Sequence, residues 1–459
     1  MAERFEIVEK AIVKMLEEKK YSTLRDILVT MNPSDIAAVF AGLEEKQIPL
    51  LFRLLPKETA ADTFVEMETE EQEILIRGFS DNELKEIIDE LYVDDAADLV
   101  DEMPANVVKR ILKQANPEMR KSINQILRYP ENSAGSMMTT EYVTLRPQMT
   151  VEESILRIRR QGVDKETIYT CYVTDKNRHL LGLVTVKDLL LAEDDEAPVE
   201  DIMTTNIISA STHTDQEEVA QMLSKYNFLA LPVVDTENRM VGIVTFDDAM
   251  DVLEEEATED MEIMGGMLPS EKTYLKSSAF ELFKNRIPWL LLLMVGATFT
   301  GIIITAFESA LAAQVVLTAF IPMLMGTGGN SGSQSSVTII RALSLGEVEF
   351  ADLPRIIWKE IRTAVLCGAA LAVVCFVKIW LVDKLLLGNT DITVMVDAVV
   401  CLALFVTVLS AKLVGAILPL VAKALKLDPA VMASPFITTI VDALSLLVYF
   451  LFATMLLGV

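Results

Sequence analysis

The last third of the chain contains five long apolar stretches, and these restrict the possible folds more than any other feature of the sequence. Each is close to the ~20 residues that a helix needs to cross a bilayer, although the second is shorter. They occupy residues 287–307, 311–326, 363–382, 394–421 and 431–459. The sequence therefore predicts an α-helical membrane domain with five spans over residues 286–459.

Basic residues collect on one side of the predicted spans. They precede span 1, separate spans 2 and 3, and separate spans 4 and 5, at Lys284, Arg286, Arg341, Arg355, Lys359, Arg362, Lys423 and Lys426. The two other connecting segments contain one base, Lys384. Because short loops rich in Lys and Arg stay in the cytoplasm, we expect a plasma-membrane protein with a cytoplasmic N-terminus and an external C-terminus.

The net charge of −27 lies entirely before the membrane domain, because residues 286–459 contain ten acidic and ten basic side chains. An acidic soluble part argues against nucleic acid as a partner, since phosphate binding requires a basic surface, and it suits a cationic partner. The four cysteines and two histidines have no metal-binding spacing, so neither a disulfide framework nor a zinc site is expected. The first 20 residues are charged and amphipathic without an apolar signal core, which predicts that the soluble part is not secreted.

Residues 1–130 predict an all-α domain, because apolar residues recur at spacings of three and four between polar or Pro breaks. A weak repeat in NPSDIAAVF (32–40), PKETAADTF (56–64) and VDDAADLV (93–100) indicates stacked helical hairpins. Asp62 and Asp98 follow the Ala pair in two copies, and Asp94 lies one turn before Asp98. First helical turns favour acidic residues, so this pattern alone does not require a metal site.

A second repeat follows. MMTTEYVTL (137–145) matches IMTTNIISA (202–210), and YVTDKNRHLLGLVTVKDLL (172–190) matches PVVDTENRMVGIVTFDDAM (232–250). Each copy predicts strand, polar turn, strand and helix. Residues 131–200 and 201–253 resemble the two halves of an α/β tandem CBS (Bateman) module. The resemblance implies that Thr185 and Asp188 hold an adenine nucleotide such as ATP; capping of the following helix is the alternative.

Residues 247–262 contain nine acidic side chains and no basic one. Such a self-repelling run is usually a solvated face or a disordered tail, but this one directly precedes the membrane domain. Carboxylate oxygens bind hard divalent cations. We therefore expect an acidic connecting helix over residues 254–285 that takes part in cation sensing.

Two polar features interrupt the apolar region. Asp442 lies in the fifth span on the same helical face as Thr438, Ser445 and Tyr449. An ionisable residue at membrane depth indicates a functional site, with a polar helix–helix contact as the alternative. The run GTGGNSGSQSSV (326–337) predicts non-helical backbone, which is tolerated in a membrane only where it lines protein or water.

The order of these parts resembles the MgtE family of magnesium channels and transporters over essentially the whole chain. The most specific matches are TGGNSGSQ (327–334) and DPAxxxxPxxTTxxD (428–442). The resemblance implies a homodimer in the lipid membrane with one pore between two symmetric halves. It places Asp442 at the family's pore aspartate and adds Asp428, Asn330, Gln334 and Thr438 to the pore. Since Mg²⁺ loses its water reluctantly, such groups can hold it through its hydration shell.

The resemblance also implies regulatory Mg²⁺ between the soluble domains. The implied ligands are acidic: Asp62, Asp94, Asp98, Glu217, Asp248, Asp251, Glu256, Glu259 and Asp260. Asn227 stands before Phe228, where the family can have an acid, so that sub-site should be weaker or absent. Our hypothesis is electrostatic gating, in which bridging Mg²⁺ draws the acidic elements together and closes the pore.

Other functions fit less well. The chain has no nucleophile–base pair, HExxH or Walker A motif, so we do not expect an enzyme. Chloride channels carry their CBS pair after the membrane part, whereas here it comes first. A carrier that exchanges Mg²⁺ for Na⁺ or H⁺ remains open. So does a transporter of Co²⁺ or Mn²⁺, because transition metals bind carboxylates at least as tightly as Mg²⁺.

Overall fold

A computed structural model describes residues 2–270, 274–388 and 392–458. The chain forms two compact units, Met1–Glu254 and Glu255–Val459. The first contains short helices followed by two α/β halves, and the second contains long apolar helices. The predicted combination of a helical N-terminal part, an α/β repeat and a helical C-terminal part is confirmed.

Ten short helices of the described residues build the N-terminal part of the first unit. They are α1 (Ala2–Glu17), α2 (Tyr21–Leu28), α3 (Pro33–Ala41), α4 (Ile48–Phe52), α5 (Lys57–Val65), α6 (Thr69–Gly78), α7 (Asp81–Ile88), α8 (Val93–Glu102), α9 (Ala105–Gln114) and α10 (Pro117–Ile126). Side chains of Asn32, Ser80 and Asn116 cap α3, α7 and α10, because each accepts a bond from a first-turn amide. These caps explain where these three helices begin.

Alternate helices of this part stack on one another. Helix α3 packs against α5, α5 against α7, and α7 against α9, around one continuous core of Leu, Ile, Val and Phe side chains. The paired alanines of the repeat, Ala60–Ala61 and Ala96–Ala97, are buried, so their small side chains allow the helices to approach. The prediction of a helical-repeat domain is confirmed.

The α/β halves of the first unit have the same topology. The first contains β1 (Tyr142–Leu145), α11 (Val151–Gln161), β2 (Thr167–Thr174), β3 (Leu180–Thr185) and α12 (Val186–Leu190). After α13 (Val199–Ile202), the second contains β4 (Ala210–Ser211), α14 (Gln216–Tyr226), β5 (Ala230–Val234), β6 (Met240–Thr245) and α15 (Phe246–Met264). In each sheet the first strand is parallel to the second, and the second is antiparallel to the third. Val173 pairs with Gly182 and Val233 with Gly242, so the register is repeated as well as the order.

Helix α15 joins the second half to the acidic run without a break. It ends at Met264, where Gly265 and Gly266 follow and Gly266 has a φ of +72°, a conformation that favours glycine. The next helix begins at Ala279. The helix predicted over residues 254–285 therefore occupies only the beginning and the end of that range, and residues 271–273 lie outside the described residues.

The second unit consists of α16 (Ala279–Ala306), α17 (Glu308–Ala313), α18 (Ile321–Ser344), α19 (Leu353–Lys378), α20 (Val394–Ala424) and α21 (Ser434–Leu457). Within the described ranges, four helical segments are long and apolar enough to cross a membrane: Ala279–Ala306, Phe350–Leu386, Val394–Ala424 and Pro429–Leu457. The predicted second span, 311–326, is divided among α17, a 3₁₀ segment and the first turns of α18. A fifth crossing stays a prediction.

The prediction of non-helical backbone at residues 326–337 is wrong, because the whole run lies inside α18. Gly328, Gly329 and Gly332 are buried on the side of α18 that contacts α20 and α21. Small residues let membrane helices approach closely, and the packing gained offsets the low helix propensity of glycine. Gly415 of α20 lies so close to Gly332 that a Cβ atom on it would overlap the Gly332 carbonyl group.

We expect Gly415→Ala to lower the free energy of unfolding by about 1–3 kcal/mol, because the new methyl group must push α18 and α20 apart. Thermal unfolding of the full chain in detergent measures this effect. Gly301→Ala is the matched control, since among the described residues no atom outside its own stretch of helix lies within 4 Å of a Cβ placed on Gly301. Equal melting temperatures for the two variants would contradict the close approach.

Candidate functional site

Carboxylates from three separate parts of the chain meet within the first unit. Asp94 and Asp95 lie in the first turn of α8, Glu166 directly precedes β2, and Asp248 lies in the first turn of α15. After burial, the negative charges of Asp95, Asp248 and Glu166 raise the pKa of Asp94, and those of Asp95 and Asp248 raise the pKa of Glu166. We call these four residues the acidic cluster.

Two oxygen atoms of the acidic cluster are buried without a hydrogen-bond partner among the described residues. They are Oδ1 of Asp94, whose side chain is 7% exposed, and Oε2 of Glu166. A buried polar atom left unsatisfied costs about 1–3 kcal/mol, more when it is charged, so such atoms usually contact ordered water or an ion. The acidic cluster therefore fits a cation or its water shell.

Burial also shifts the protonation of these carboxyl groups. Burial, together with the charge of Asp248, raises the pKa of Asp95 to about 7. Burial and the charge of Asp95 raise the pKa of Glu166 to about 8 and the pKa of Asp98 to about 7. Asp94, the most deeply buried, has a pKa well above its ordinary value for the same reasons. Near neutral pH the acidic cluster therefore holds protons or requires a cation.

Two further predicted ligands lie near Glu66. Burial and then the charges of Glu58 and Glu66 raise the pKa of Asp62. Burial and then the charge of Glu66 raise the pKa of Asp251. Glu66 therefore adds negative charge to both, although the sequence did not indicate it as a ligand.

Glu217 lies in the first turn of α14, where its Oε1 accepts a hydrogen bond of 3.0 Å from Gln221. Asn227 ends α14 in the left-handed conformation, with a φ of +53°. Asparagine tolerates this conformation better than most residues, so the local backbone accounts for an amide at this position.

The structure adds Asp95 and Glu166 to the residues that the sequence indicated. Asp95 follows Asp94 directly in VDDAADLV, so the acidic doublet was a usable signal. Glu166 is isolated in the sequence and reaches Asp95 only through the fold. Within the part of the chain that the structure describes, no three acidic, His or Cys side chains converge closely enough to hold a metal ion directly. A hydrated ion such as Mg²⁺, held through its waters, suits this looser arrangement.

Thr185 and Asp188 form a capping box at the start of α12. The hydroxyl of Thr185 donates to Oδ2 of Asp188 at 2.6 Å and accepts from the Asp188 amide at 3.1 Å. This is the capping role that the sequence left open. A cavity of about 410 Å³ in the first unit has Arg146 and Arg178 among its lining residues, but neither Thr185 nor Asp188.

In the second unit, Asp442 lies within α21, and its Oδ1 is buried without a partner among the described residues. The hydroxyls of Thr438 and Ser445, one turn to either side, each donate to a carbonyl of the same helix at 2.6 Å. They therefore do not neutralise the carboxylate. Asp442 remains available to water or to a cation.

Asn330 and Gln334 lie on the exposed side of α18, and neither makes a hydrogen bond to Asp442 in the described structure. The opposite side of α18 packs on α20 and α21. Amide side chains on a membrane helix are poorly suited to lipid and are expected to face protein or water. Within one chain, Asn330 and Gln334 are therefore not covered by the helices that α18 packs against.

The remaining predicted residues lie where α15 ends and α21 begins. Asp428 precedes a short 3₁₀ segment, Pro429–Met432, and accepts a bond of 2.8 Å from the Ala430 amide. Burial and then the charges of Glu256 and Asp428 raise the pKa of Glu259. These carboxylates therefore lie close enough to act on each other, and Asp260 follows Glu259 on the same helix. Ile263 and Met264 pack against Ile340, Ala430 and Ala433.

Family models match three parts of the chain. One described as "Divalent cation transporter" matches residues 321–452. One described as "MgtE intracellular N domain" matches residues 31–132. The CBS domain matches twice, at residues 134–195 and 199–255.

Similar proteins extend over nearly the whole chain. A protein named magnesium transporter MgtE from Thermus thermophilus is 37% identical, covering 97% of this chain and 98% of its own length. One of the same name from Bacillus subtilis is 34% identical, covering 96% of both. A crystal structure of the cytosolic domain of the Mg²⁺ channel MgtE in complex with ATP superposes with a TM-score of 0.51 and 38% identity. It covers 53% of this chain and 99% of that domain.

We expect the stability of the chain without divalent cations to fall by about 2 kcal/mol or more between pH 5 and pH 8. The folded acidic cluster keeps protons up to a pKa of about 7 for Asp95 and about 8 for Glu166, whereas the unfolded chain releases them near pH 4. The folded state thus binds more protons in this interval, so its stability decreases as the pH rises.

Unfolding of the full chain in detergent with a chelator, measured from pH 5 to pH 8, tests this expectation. The double variant Asp95→Asn/Glu166→Gln should have a flatter profile. Glu152→Gln, an exposed acid in the first turn of α11, should follow the wild type. A wild-type profile as flat as that of the double variant would contradict the expectation.

Proposed function

The chain belongs to the MgtE family of magnesium transporters, and from this premise we propose that it carries Mg²⁺ through a pore containing Asp442 that closes when Mg²⁺ binds its acidic cluster. The observation that carries the transport function is the match to two magnesium transporters along almost the full length of all three chains. The absence of enzymatic function agrees with it, because these relatives are named as transporters.

Asp442 is the proposed ion-binding group of the pore. A carboxylate within an apolar helix is costly unless a cation or water compensates it, and its Oδ1 has no protein partner among the described residues. Mg²⁺ prefers six oxygen ligands and keeps several waters. Asp442 therefore attracts a divalent ion through its hydration shell without removing that shell.

The proposed pore lies between two copies of the chain. Asn330 and Gln334 are exposed on α18 although they belong to the membrane unit, and a symmetric partner would cover them and line the path with amide oxygens. Thr438 lies one turn from Asp442 and belongs to the same proposed set. Asp428 would stand at the cytoplasmic entrance, with the N-terminus on the same side of the plasma membrane.

Gating follows from the electrostatics of the acidic cluster. When Mg²⁺ is scarce, Asp94, Asp95, Glu166 and Asp248 ionise more readily when they are apart, so their ionisation favours separation of α8 from α15. When it is abundant, hydrated Mg²⁺ compensates their charge and holds these helices together. Helix α15 begins at the acidic cluster and ends against the residues that precede α21, so its position can control the pore.

A nucleotide is a further proposed ligand of the first unit. The related cytosolic domain was crystallised in complex with ATP, and that domain is 38% identical to the matched region here. Thr185 and Asp188 are the proposed contacts for the ribose and phosphates. Their capping bonds would have to rearrange or be shared with the nucleotide.

We expect Asp442→Asn to lower Mg²⁺ flux at least about tenfold, because the amide keeps the shape of the side chain but removes the charge that attracts the ion. The measurement is Mg²⁺ uptake into proteoliposomes under a set voltage. Glu308→Gln, an exposed acid of the same unit, is the control and should transport normally. Undiminished flux in Asp442→Asn would refute the pore assignment, and flux that requires a Na⁺ or H⁺ gradient would indicate a coupled carrier.

We expect the triple variant Asp94→Asn/Asp248→Asn/Asp251→Asn to conduct at Mg²⁺ concentrations that close the wild type. Neutral amides no longer bind Mg²⁺, so the ion can no longer hold α8 and α15 together and the pore stays open. Currents recorded while cytoplasmic Mg²⁺ is varied give the answer. Glu118→Gln/Glu131→Gln/Glu152→Gln removes three exposed acids elsewhere and should retain inhibition. Normal Mg²⁺ inhibition of the first triple variant would exclude this gating mechanism.

A further inference from the structure

Helix α20 carries a lysine, Lys412, that is buried inside the second unit. Its side chain is only 5% exposed although it lies in the middle of a helix long and apolar enough to cross a membrane. Charged residues in such helices face the interior of the bundle and require a partner. Neither the transport path nor the acidic cluster accounts for this ammonium group.

The partner of Lys412 is reached through a serine. The Nζ atom of Lys412 donates to Oγ of Ser335 on α18 at 3.4 Å, its single hydrogen bond within the described residues. The Ser335 hydroxyl in turn donates to Oε2 of Glu360 on α19 at 2.7 Å. Ser335 is 2% exposed, so water does not replace it in this chain of contacts. One lysine, one serine and one glutamate thus connect three helices.

This connection lies close to the proposed ion path. A Cβ atom placed on Gly332 of α18 would lie 3.2 Å from the Ala411 carbonyl oxygen on α20 and 3.2 Å from Val441 on α21, which are the residues directly before Lys412 and Asp442. Helix α18 packs on both α20, which carries Lys412, and α21, which carries Asp442. A fixed positive charge in this part of the helix bundle repels a divalent ion twice as strongly as a monovalent one.

We propose that Glu360 neutralises Lys412 through Ser335, so that the membrane unit keeps a buried cation as a link between helices without opposing the entry of Mg²⁺. Lys412 and Glu360 are then positioning residues rather than ion ligands. The inference rests on the proposed transport function. Its specific content is that the two charges act as a pair, so that losing one is worse than losing both.

Mg²⁺ uptake by the purified full chain in proteoliposomes tests the pair. Glu360→Gln should lower uptake at least about fivefold, because it leaves an uncompensated positive charge beside the path. Adding Lys412→Met, which keeps most of the length of the side chain and removes its charge, should restore uptake to within about twofold of the wild type. Glu347→Gln, an exposed acid after α18, is the matched control and should change nothing. Equal impairment of the single and double variants would overturn the proposal, because a purely structural role predicts no rescue.

Thermal unfolding of the same variants provides a readout that does not depend on transport. Glu360→Gln should melt at a lower temperature than the wild type, and the double variant should recover most of the difference, since a buried charge without its partner destabilises the fold. Melting shifts that simply add would overturn the pairing even if uptake were normal. If the wild type took up no Mg²⁺, the proposed function would fail, and the melting temperatures would still decide whether Lys412 and Glu360 are coupled.

Discussion

The repulsion among buried carboxylates is the constraint on which the rest of this structure depends. Asp94, Asp95, Glu166 and Asp248 come from three parts of the first unit and share an environment in which ionisation is unfavourable. No stable protein gathers such groups without a compensating proton or cation, because desolvated like charges destabilise each other. Under the proposed gating, the solution composition changes the position of the helices that carry them. The proposed sensing of divalent cations rests on this arrangement and not on a preformed metal site among the described residues.

The removal of charged side chains from water also determines the arrangement of Asp442 and Lys412 in the second unit. Glycine and serine residues on α18 permit close contact with α20 and α21, and this packing fixes the surroundings of Asp442 and Lys412. In the proposed function Asp442 binds the transported ion, whereas Lys412 is linked through Ser335 to Glu360. A pathway for cations requires both an unpaired carboxylate and a neutralised lysine, since an uncompensated ammonium group would cancel the attraction that the aspartate provides.

The glycine-rich run illustrates a limit of sequence reasoning. Glycine is the poorest helix former apart from proline, so GTGGNSGSQSSV predicts a break. In the structure the run is helical because α20 and α21 lie against it, and only residues without large side chains fit between them. Residues distant in sequence thus decided its conformation.

Tertiary contacts also distinguish the two helices, α12 and α15, that Thr185 and Thr245 precede. The same Thr–Asp pair caps both, but only Asp248 joins the acidic cluster.

The sequence alone determined the order and class of the three parts, the apolar segments and most acids of the cation-binding hypothesis. These depend on local periodicity and charge, which a linear pattern records. Only the tertiary structure brought Glu166 to Asp95 and connected Lys412 with Ser335 and Glu360. The reason is physical: the energy of a charge depends on its burial and neighbours, and residues far apart in sequence supply both.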